Sequence, residues 1–456
     1  MFKKIEIWIL YLSFVIFFIV LILFGSILNH HYLGGTKFKP IQKVAKFIAQ
    51  IPSNLKRIII QAKEPGIYYI DKSNRFVDKP ISKIFLKDKL SGLLLLPRYD
   101  GDIHEFVVEV IDLRTFKVLH KFMPDKKEIL NSFNYKNDEQ FKALPSFINE
   151  RFKMWHPYLE ENGGLVFNSN SPLYKIDFCD NIEWVNHDFT FHHSLEIDHE
   201  NNYWAPVTFN PSLIKDDAFK NHGGDDGISK ISPNGKTLYK KSLTQILIDN
   251  GYKHLLYSQR SYHNDIIHLN DIQPTLNDGP YWNKGDLFLS SKGLSAIIHY
   301  RPSTNKIINM LRSPFLSQQH DVDIVNDNTI YIFNNNRYQI PSGYKLFKNS
   351  KIISYNFKTQ KYSEEYKFAT SENEMKTDFG GLFQLLDNGN FMTEEQEHGR
   401  LLIFNKEEEL IWEFVNKSKK NKVYALRWSR IIEDQNIIKN FNKKLENTKC
   451  SNKKFN

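Results

Sequence analysis

The sequence is poor in cysteine, and this excludes one class of site. Its 456 residues include two cysteines, Cys179 and Cys450, which form no CxxC pair and no spacing typical of a zinc site. A metal centre built on cysteine is therefore excluded. The two residues could form one disulfide if the domain is exported. Because Cys450 lies in a polar tail, the sequence leaves their pairing open.

A long run of basic residues is also absent. The formal net charge of +9 comes mostly from scattered lysines, which is typical of a solvated surface. We therefore expect no nucleic-acid partner. Hydrophobic residues make up 41% of the chain and aromatic residues 14%. A packed core is feasible, and the abundance of Phe and Tyr favours strands.

The chain does contain one long apolar run. From Ile7 to Leu28 there is no charged residue, and an uncharged run of this length predicts a transmembrane helix. A buried core helix is the alternative. A cleaved signal peptide is less favoured, because the run is long and no small-x-small site follows it. We predict an uncleaved, single-pass membrane anchor.

Short strand-like segments follow from about Gly66 onward, and they recur. An apolar strand, a polar turn and a second strand occur six times, with starts roughly 50 to 70 residues apart. A second hairpin with an Asp, Asn or Gly turn often precedes the first. Two hairpins per period make a four-stranded unit, and six units predict an all-β, six-bladed β-propeller. A β-sandwich is the alternative, but it does not explain so long a period.

These patterns predict four parts in the chain. Between the anchor and the first strands, Val44, Ile48, Ile51 and Leu55 stand near helical spacing, and Pro52 predicts a kink or a split in that helix. The predicted parts are an anchor with its linker (1–35), a helical connector (36–65), the propeller (66–440) and a polar C-terminal tail (441–456).

Histidines recur in the strand-like segments. The first strand of each propeller blade lines the central channel, so histidines at similar repeat positions would converge there. The alternative is that each one merely caps or hydrogen-bonds a strand end. We favour convergence for the whole set, which comprises His156, His192, His193, His263, His268 and His320.

Four segments around these histidines resemble the bacterial arylsulfotransferases, also called aryl-sulfate sulfotransferases. The similarity covers roughly the last 270 residues and keeps the order of the motifs. Each segment alone is a weak signal, whereas the four together are fairly specific. They are FHHSLEID from Phe191, DIIHLNDIQP from Asp265, GDLFLSSKGLSAIIHY from Gly285 and QQHDVDIVNDNTIYIFNNN from Gln318.

The resemblance implies a fold and an activity. The fold is a six-bladed propeller, here held to a membrane by the N-terminal helix, in the periplasm or another extracytoplasmic space. The activity moves a sulfuryl group from an aryl sulfate donor to a phenolic acceptor through a sulfated histidine. It uses no nucleotide sulfate donor, and it implies no cofactor and no metal.

The resemblance also implies roles for individual residues. His320 would be the nucleophile, and His268 and Asn270 would contact the sulfate. His193 would be the remaining catalytic histidine of the channel. His192 aligns equally well with that position, and if His193 is the catalytic residue, His192 would bind substrate.

The chain departs from the family at one basic position. The family motif Ser-Ser-Arg reads Ser290, Ser291 and Lys292 here. Arginine offers a planar fork to sulfate oxygens, whereas lysine offers a point charge. Lys292 would stabilise the transferring group, and Arg301 or Arg312 would substitute for the missing guanidinium.

Two functions of different classes follow. The first is a membrane-anchored, nucleotide-donor-independent arylsulfotransferase. The second is a non-catalytic ligand-binding or scaffolding propeller, which the change to Lys292 favours. A different transferase or hydrolase using the same histidines is a third alternative.

Overall fold

A computed structural model describes most of the chain. The described residues are 6–32, 35, 37, 39–63, 66–86, 90–138, 140, 141, 144, 148, 152–168, 171–217, 219, 224–257, 266–340 and 343–450. They form two compact units, residues 1–67 and 68–456. The four predicted domain ranges stay predictions.

The first unit contains two long helices, α1 (Ile7–Tyr32) and α2 (Lys39–Lys63). Within the described residues, α1 is the one helix long and apolar enough to cross a membrane, and none of its residues is buried. Its helical state is as predicted, and its place in a membrane stays a prediction. Helix α2 runs through Pro52 as a single element, so the predicted split does not occur.

The second unit is built from strands. In chain order they are β1 (Ser82–Ile84), β2 (Leu93–Asp100), β3 (Glu105–Asp112), β4 (Lys117–Phe122), β5 (Trp155–Leu159), β6 (Leu165–Asn168), β7 (Ser171–Ile176), β8 (Ile182–Phe191), β9 (Glu196–Ile197), β10 (Tyr203–Phe209), β11 (Asp225–Ile231), β12 (Thr237–Ser242), β13 (Leu269–Pro274), β14 (Leu287–Ser291), β15 (Ala296–Arg301), β16 (Lys306–Arg312), β17 (Val322–Asn326), β18 (Thr329–Asn334), β19 (Arg337–Ile340), β20 (Gly343–Leu346), β21 (Lys351–Asn356), β22 (Lys361–Glu365), β23 (Leu382–Leu385), β24 (Phe391–Glu395), β25 (Arg400–Phe404), β26 (Leu410–Val415) and β27 (Arg430–Ile432).

Short helices connect some of these strands. They are α3 (Lys126–Asn131), α4 (Leu243–Asp249), α5 (Lys253–Tyr257) and α6 (Lys367–Glu372), and α7 (Gln435–Asn447) follows the last strand. The described residues also contain three 3₁₀ turns, at Ile67–Tyr69 before β1, at Tyr135–Asn137 and at Gln396–His398.

The strands form an all-β, propeller-like arrangement, as predicted. In the described part of the chain, three sheets have four strands, in the orders β27-β2-β3-β4, β13-β14-β15-β16 and β17-β18-β21-β22. One has five strands, β1-β26-β25-β24-β23, and one has eight, β12-β11-β10-β8-β7-β6-β5 with β9 beside β10. The predicted count of six blades is therefore not confirmed. The late strand β27 pairs with the early strand β2, which joins the two ends of the arrangement.

Burial changes across each sheet. In β2, Leu93 to Leu96 are all buried, because an inner strand is covered on both faces and reads as a continuous apolar run. The outer strands β4, β12, β16 and β22 are half exposed and carry lysines. Lysine on an edge strand hinders pairing with a second molecule.

The C-terminal segment is packed onto the second unit. Asp434 caps α7 by accepting hydrogen bonds from two backbone N–H groups, and Ile437 and Phe441 are buried. Cys450 then forms a disulfide with Cys179, which settles the pairing left open by the sequence. The helix crosses the predicted boundary at residue 440, because Ile437, Ile438, Phe441 and Leu445 pack against the core from a segment that was predicted in part as a polar tail.

Removing the disulfide should destabilise the second unit. It closes a loop spanning 271 residues, and such a bond mainly restricts the unfolded chain. We expect Cys450→Ser to lower the free energy of unfolding by about 2–4 kcal/mol, measured by denaturant titration. A reductant should produce the same loss in the wild type and no further loss in the Cys179→Ser/Cys450→Ser variant. Equal free energies of unfolding for all of these forms would show that the disulfide does not stabilise the second unit.

Candidate active site

The predicted convergence of histidines is observed for those that the structure describes. His156 is the second residue of β5, and His193, His268 and His320 lie one to three residues before β9, β13 and β17. The His193 and His268 ring centroids are 5.1 Å apart, and the charges of His268, His320 and His156 all act on His193. His263 lies outside the described residues. We call His156, His193, His268 and His320 the histidine cluster.

The backbone of the cluster is unusual. His156, His193 and His268 have φ angles of 44°, 55° and 45°. Positive φ is uncommon for residues other than glycine, and recurrent strain of this kind is found at functional sites, where the surroundings enforce it. Three of the four cluster histidines therefore share one backbone conformation, at or just before β5, β9 and β13.

The ring of His320 has a defined tautomer. Its Nδ1 lies 2.6 Å from Oδ1 of Asn335. The Asn335 amide group is oriented by its Nδ2, which donates to the carbonyl oxygens of Thr377 and Gly380 at 3.0 and 2.7 Å. Asn335 Oδ1 must then accept a hydrogen bond from His320 Nδ1–H. The lone pair is on Nε2, which accepts from the backbone N–H of Gly380 at 3.0 Å.

The surroundings keep His320 neutral. Burial lowers its pKa well below the ordinary value, and the positive charges of Lys292 and Arg337 act in the same direction. Burial likewise lowers the pKa of His156 and of His193. A neutral imidazole keeps a lone pair on one ring nitrogen, so Nε2 of His320 is a potential nucleophile at neutral pH once the Gly380 N–H is released.

Lys292 belongs to this region, as predicted. It follows β14, and its backbone N–H donates to the carbonyl oxygen of His268 at 3.0 Å. Its Nζ lies 3.4 Å from Nε2 of His268 and 5.3 Å from the centroid of the Phe379 ring. The ammonium group therefore stands between a cluster histidine and the loop that contacts His320.

Asn270 supports the chain that carries His320. It is fully buried, and its Nδ2 donates to the carbonyl oxygen of Gln319 at 2.9 Å. Its predicted contact with sulfate stays a prediction. What the geometry supports is a positioning role for the segment before His320.

The geometry distinguishes the two adjacent histidines. The rings of His192 and His193 contact each other through their Nδ1 atoms at 2.8 Å. His192 extends to Asp226, with Nε2 3.4 Å from Oδ1, whereas His193 packs against His268 and Trp155. His193 is therefore the better candidate for the catalytic histidine of the channel.

Arg301 is not brought to the cluster. Its Nε and one terminal nitrogen each lie 2.7 Å from an Asp286 carboxylate oxygen. In β15, Ala296 pairs with Ser291 beside Lys292, whereas Arg301 stands at the opposite end of the strand. Its predicted substrate contact has no geometric support, and Arg312 is exposed on an outer strand. The position of Arg301 along the strand can be predicted from the sequence. Which end of that strand lies beside the histidine cluster cannot, because it depends on how the sheets pack.

Several residues of the site were not predicted. Asn335 and Arg337 follow β18, Phe379 and Gly380 precede β23, and Trp428 stacks on His156 with centroids 3.8 Å apart. The run Asn334-Asn335-Asn336-Arg337 is the signal that could have identified the first two. Three consecutive amides directly after an apolar strand indicate side chains that bind backbone groups of neighbouring segments.

Acidic side chains predominate among the charged residues of a cavity beside the inner strands. This cavity of about 660 Å³ is lined by Glu196, Asp321, Asp323 and Arg430, among others. Burial and the charge of Glu196 raise the pKa of nearby Asp271 to about 7. Burial and the charges of Asp271 and Glu196 raise the pKa of Asp323 well above its ordinary value. Within the described residues, no group of three or more His, Cys, Asp or Glu side chains could hold a metal ion.

Neutralising Asp323 should stabilise the fold in a pH-dependent way. Its raised pKa means that the folded state disfavours the carboxylate, so this cost is present at pH 8 and declines as pH falls and the group takes up a proton. We expect Asp323→Asn to raise the free energy of unfolding by about 1–3 kcal/mol at pH 8 and by less at pH 5. Denaturant titrations at both pH values measure this.

The exposed Asp327, in the turn after β17, provides the matched control. Asp327→Asn should change stability little at either pH. A gain for Asp323→Asn that is equal at pH 8 and pH 5 would show that the carboxylate is not disfavoured by its surroundings.

Comparison with known proteins gives a family. The family model described as Arylsulfotransferase (ASST) matches residues 163–417, and no curated protein matches. Solved structures with a similar fold include a protein of unknown function from Bacteroides caccae (11% identity, 71% of this chain and 94% of that chain, TM-score 0.44). TolB from Acinetobacter baumannii is another (9% identity, 74% of this chain and 66% of that chain, TM-score 0.42). Likenesses this distant support no further conclusion. The family match spans more than half of the 456 residues, and the chain therefore belongs to the arylsulfotransferase (ASST) family.

Proposed function

We propose that this protein transfers a sulfuryl group from an aryl sulfate to a phenol through a sulfated His320. The observation that carries the proposal is the state of His320, which is buried, neutral and held in one tautomer by Asn335. Family membership supports sulfotransferase activity in general. Sulfuryl transfer, like phosphoryl transfer, depends mainly on positioning and on stabilising charge on the equatorial oxygens.

In the first half of the reaction, Nε2 of His320 attacks the sulfur of the aryl sulfate. The nitrogen–sulfur bond forms, the bond from sulfur to the aryl oxygen breaks, and the aryl oxide leaves with the electron pair and is then protonated. The imidazole ring becomes positively charged while it still carries the Nδ1 proton. The hydrogen bond from Nδ1–H to Asn335 Oδ1 (2.6 Å) then strengthens, which stabilises the product of attack more than the free enzyme.

This attack requires one hydrogen bond to be released. The Nε2 lone pair accepts from the Gly380 N–H in this structure. Gly380 and Gly381 have φ angles of 71° and 103°, and glycine adopts other conformations at little cost. Rotation of the backbone at this pair frees Nε2, and the released N–H becomes a donor beside the sulfuryl oxygens.

In the second half, the phenol oxygen attacks the sulfur and the nitrogen–sulfur bond breaks. The phenol proton passes to a second histidine, and His320 returns to its neutral form. His193 and His268 are the candidates for this proton transfer, because their rings adjoin and His268 contacts Lys292. The Lys292 ammonium would offset charge on the sulfuryl oxygens.

A non-catalytic binding propeller is the second candidate. Lys292 in place of the family's arginine and the occupied Nε2 lone pair both favour it. It differs from the enzyme in one measurable respect, since it would bind an aryl sulfate and release no phenol.

We also infer that the ring has six blades. The eight-stranded sheet divides naturally between β8 and β10, which pair at two residue positions, whereas β10 and β11 pair at seven. Division there yields units of β5–β8 and β9–β12, which together with the other four large sheets make six. A crystal structure with five or seven inner strands around the channel would contradict this count.

We further propose that α1 anchors the protein in a membrane with the propeller outside the cytoplasm. The helix carries no Asp, Glu, Lys or Arg between Ile7 and Tyr32. The disulfide between Cys179 and Cys450 supports an oxidising compartment, because disulfides are rare in the cytosol.

Replacing His320 tests the proposed reaction. Wild-type protein should release phenol from a chromogenic aryl sulfate when a phenolic acceptor is present, and His320→Ala should lower that rate on the order of 10⁴-fold or more. Absorbance of the released phenol measures the rate. Mass spectrometry of quenched wild-type protein should locate a sulfuryl group on His320.

The exposed His199 is the matched control, and His199→Ala should retain the wild-type rate. Equal rates for His320→Ala and wild type would eliminate His320 as the nucleophile. Binding of the aryl sulfate without release of phenol would favour the non-catalytic alternative.

The anchor has a separate test. We expect the full chain to stay with the membrane pellet after alkaline carbonate extraction, and a form lacking residues 1–35 to be soluble, because the apolar run is then absent. The intact mass of the membrane form should include those residues. A mass that lacks them would identify a cleaved signal sequence. Protease digestion of the propeller from the cytoplasmic side would contradict its orientation.

A further inference from the structure

The guanidinium group of Arg337 lies in an unusual environment. Its side chain is 1% exposed, and its Cζ lies 3.4 Å from the centroid of the Tyr344 ring and 3.8 Å from that of Phe379. One terminal nitrogen donates to the carbonyl oxygen of Asp378 at 2.8 Å. The centroids of the two rings are 6.3 Å apart and their planes are nearly perpendicular, at 77°. The rings therefore border the guanidinium group from two sides, and a ligand would approach it at the Nε edge.

Arg337 lacks the partner that a buried cation normally has. Among the described residues, no carboxylate forms an ion pair with it, and its Nε is buried with no hydrogen-bond partner. Burying a charge without a counter-ion is costly. The charges of Asp378 and Glu397 act on Arg337 without forming an ion pair with it. An anion bound at the guanidinium edge would supply a directly bonded negative charge and the missing acceptor for Nε.

The same loop holds Arg337 and His320. Residues 377–380 accept hydrogen bonds from Arg337 at Asp378 and from Asn335 at Thr377 and Gly380, and Gly380 donates to His320. Both cations adjoin the Phe379 ring: Lys292 Nζ lies 5.3 Å and Arg337 Cζ 3.8 Å from its centroid. The charges of both Lys292 and Arg337 act on His320. Two cations therefore border the proposed nucleophile.

The hairpin that carries Arg337 is held in place by side-chain hydrogen bonds to backbone carbonyl groups. Asn336 donates to the carbonyl oxygens of Phe347 and Asn349, and the Ser317 hydroxyl donates to the carbonyl oxygen of Arg337 at 2.5 Å. Strands β19 and β20 form the hairpin. The Tyr344 and Phe379 rings remain 48% and 44% exposed, so aromatic surface is available next to the two cations.

We propose that Arg337 binds the oxygens of the transferring sulfuryl group, supplying the guanidinium that the change to Lys292 removed, and that Tyr344 and Phe379 contact the aryl ring of the donor. The ligand class is an aryl sulfate or aryl sulfonate monoanion. The proposal rests on the proposed function for its catalytic consequence. The predicted binding of the anion at Arg337 can be measured whether or not the protein catalyses transfer.

Binding of an unreactive analogue tests the site directly. 4-Nitrobenzenesulfonate carries its sulfur on carbon, so no aryl oxide can leave. Calorimetric titration of the detergent-solubilised full chain should detect binding. Arg337→Ala should weaken that binding about 10- to 100-fold, the range expected for charge-assisted hydrogen bonds. Inorganic sulfate should bind more weakly than the sulfonate, because it makes no contact with the rings.

Two further variants separate the guanidinium from structural effects. Arg337→Lys keeps the charge and loses the planar fork, so we expect a loss of binding smaller than that of Arg337→Ala. Addition of free guanidinium ion at millimolar concentration should restore part of the lost kcat/KM in Arg337→Ala. Arg114, exposed in the turn after β3, is the matched control, and Arg114→Ala should bind as the wild type does.

The outcomes distinguish this inference from the proposed function. If the wild type transfers sulfuryl groups through His320, and Arg337→Ala folds and keeps binding and kcat/KM within about twofold of the wild type, the role of Arg337 is wrong and the transfer proposal stands. Arg337-dependent binding without transfer would uphold the anion site and overturn the activity. If Arg337→Ala fails to fold, undiminished binding by Arg337→Lys and Arg337→Gln overturns the inference. No binding of the sulfonate by the wild type also overturns it.

Discussion

The hydrogen bonds of Asn335 connect the parts on which the site depends. Its amide nitrogen donates to Thr377 and Gly380, and its amide oxygen accepts the Nδ1 proton of His320. A single buried side chain thus sets the tautomer of the ring and holds the loop that faces Nε2. Buried amides are costly when left unpaired and specific when fully paired. The loop, the ring and the hairpin of Arg337 therefore adopt one arrangement.

The inner surface of the propeller is divided by charge. His320 stands at the end bordered by Lys292 and Arg337, whereas the neighbouring Asp321 and the nearby Asp323 face the cavity that Glu196 also lines. Burial raises the pKa of Asp321 and of Asp323, and Arg430 pairs with Glu196. The second end therefore holds carboxyl groups whose charged form is disfavoured, whereas the first end holds two cations.

The fold class and the membrane-length helix could be predicted from the sequence, because both depend on local patterns. Hairpins with polar turns recur along the chain, and an uncharged apolar run needs no long-range contact to be recognised. The histidine positions followed from the same periodicity, combined with the resemblance to arylsulfotransferases. The predicted count of six blades is not confirmed by the sheets, because β8 and β10 hydrogen-bond across what the repeat suggests is a boundary. The packing of Phe441 was missed, because the apolar residues of the C-terminal helix are separated by polar ones and the segment was predicted in part as a polar tail. The pairing of Cys450 was left open, since it depends on how that helix packs.

The sequence by itself determined the strand-rich repeat, the apolar N-terminal helix, the recurring histidines and the change from arginine to Lys292. Only the tertiary structure decided which side chains meet. It left Arg301 paired with Asp286 at the far end of its strand, and it brought Arg337 from a later hairpin to the loop beside His320. The physical reason is that a periodic pattern specifies the face and order of residues along a strand. Contacts between loops separated by some 40 residues depend on how neighbouring sheets pack.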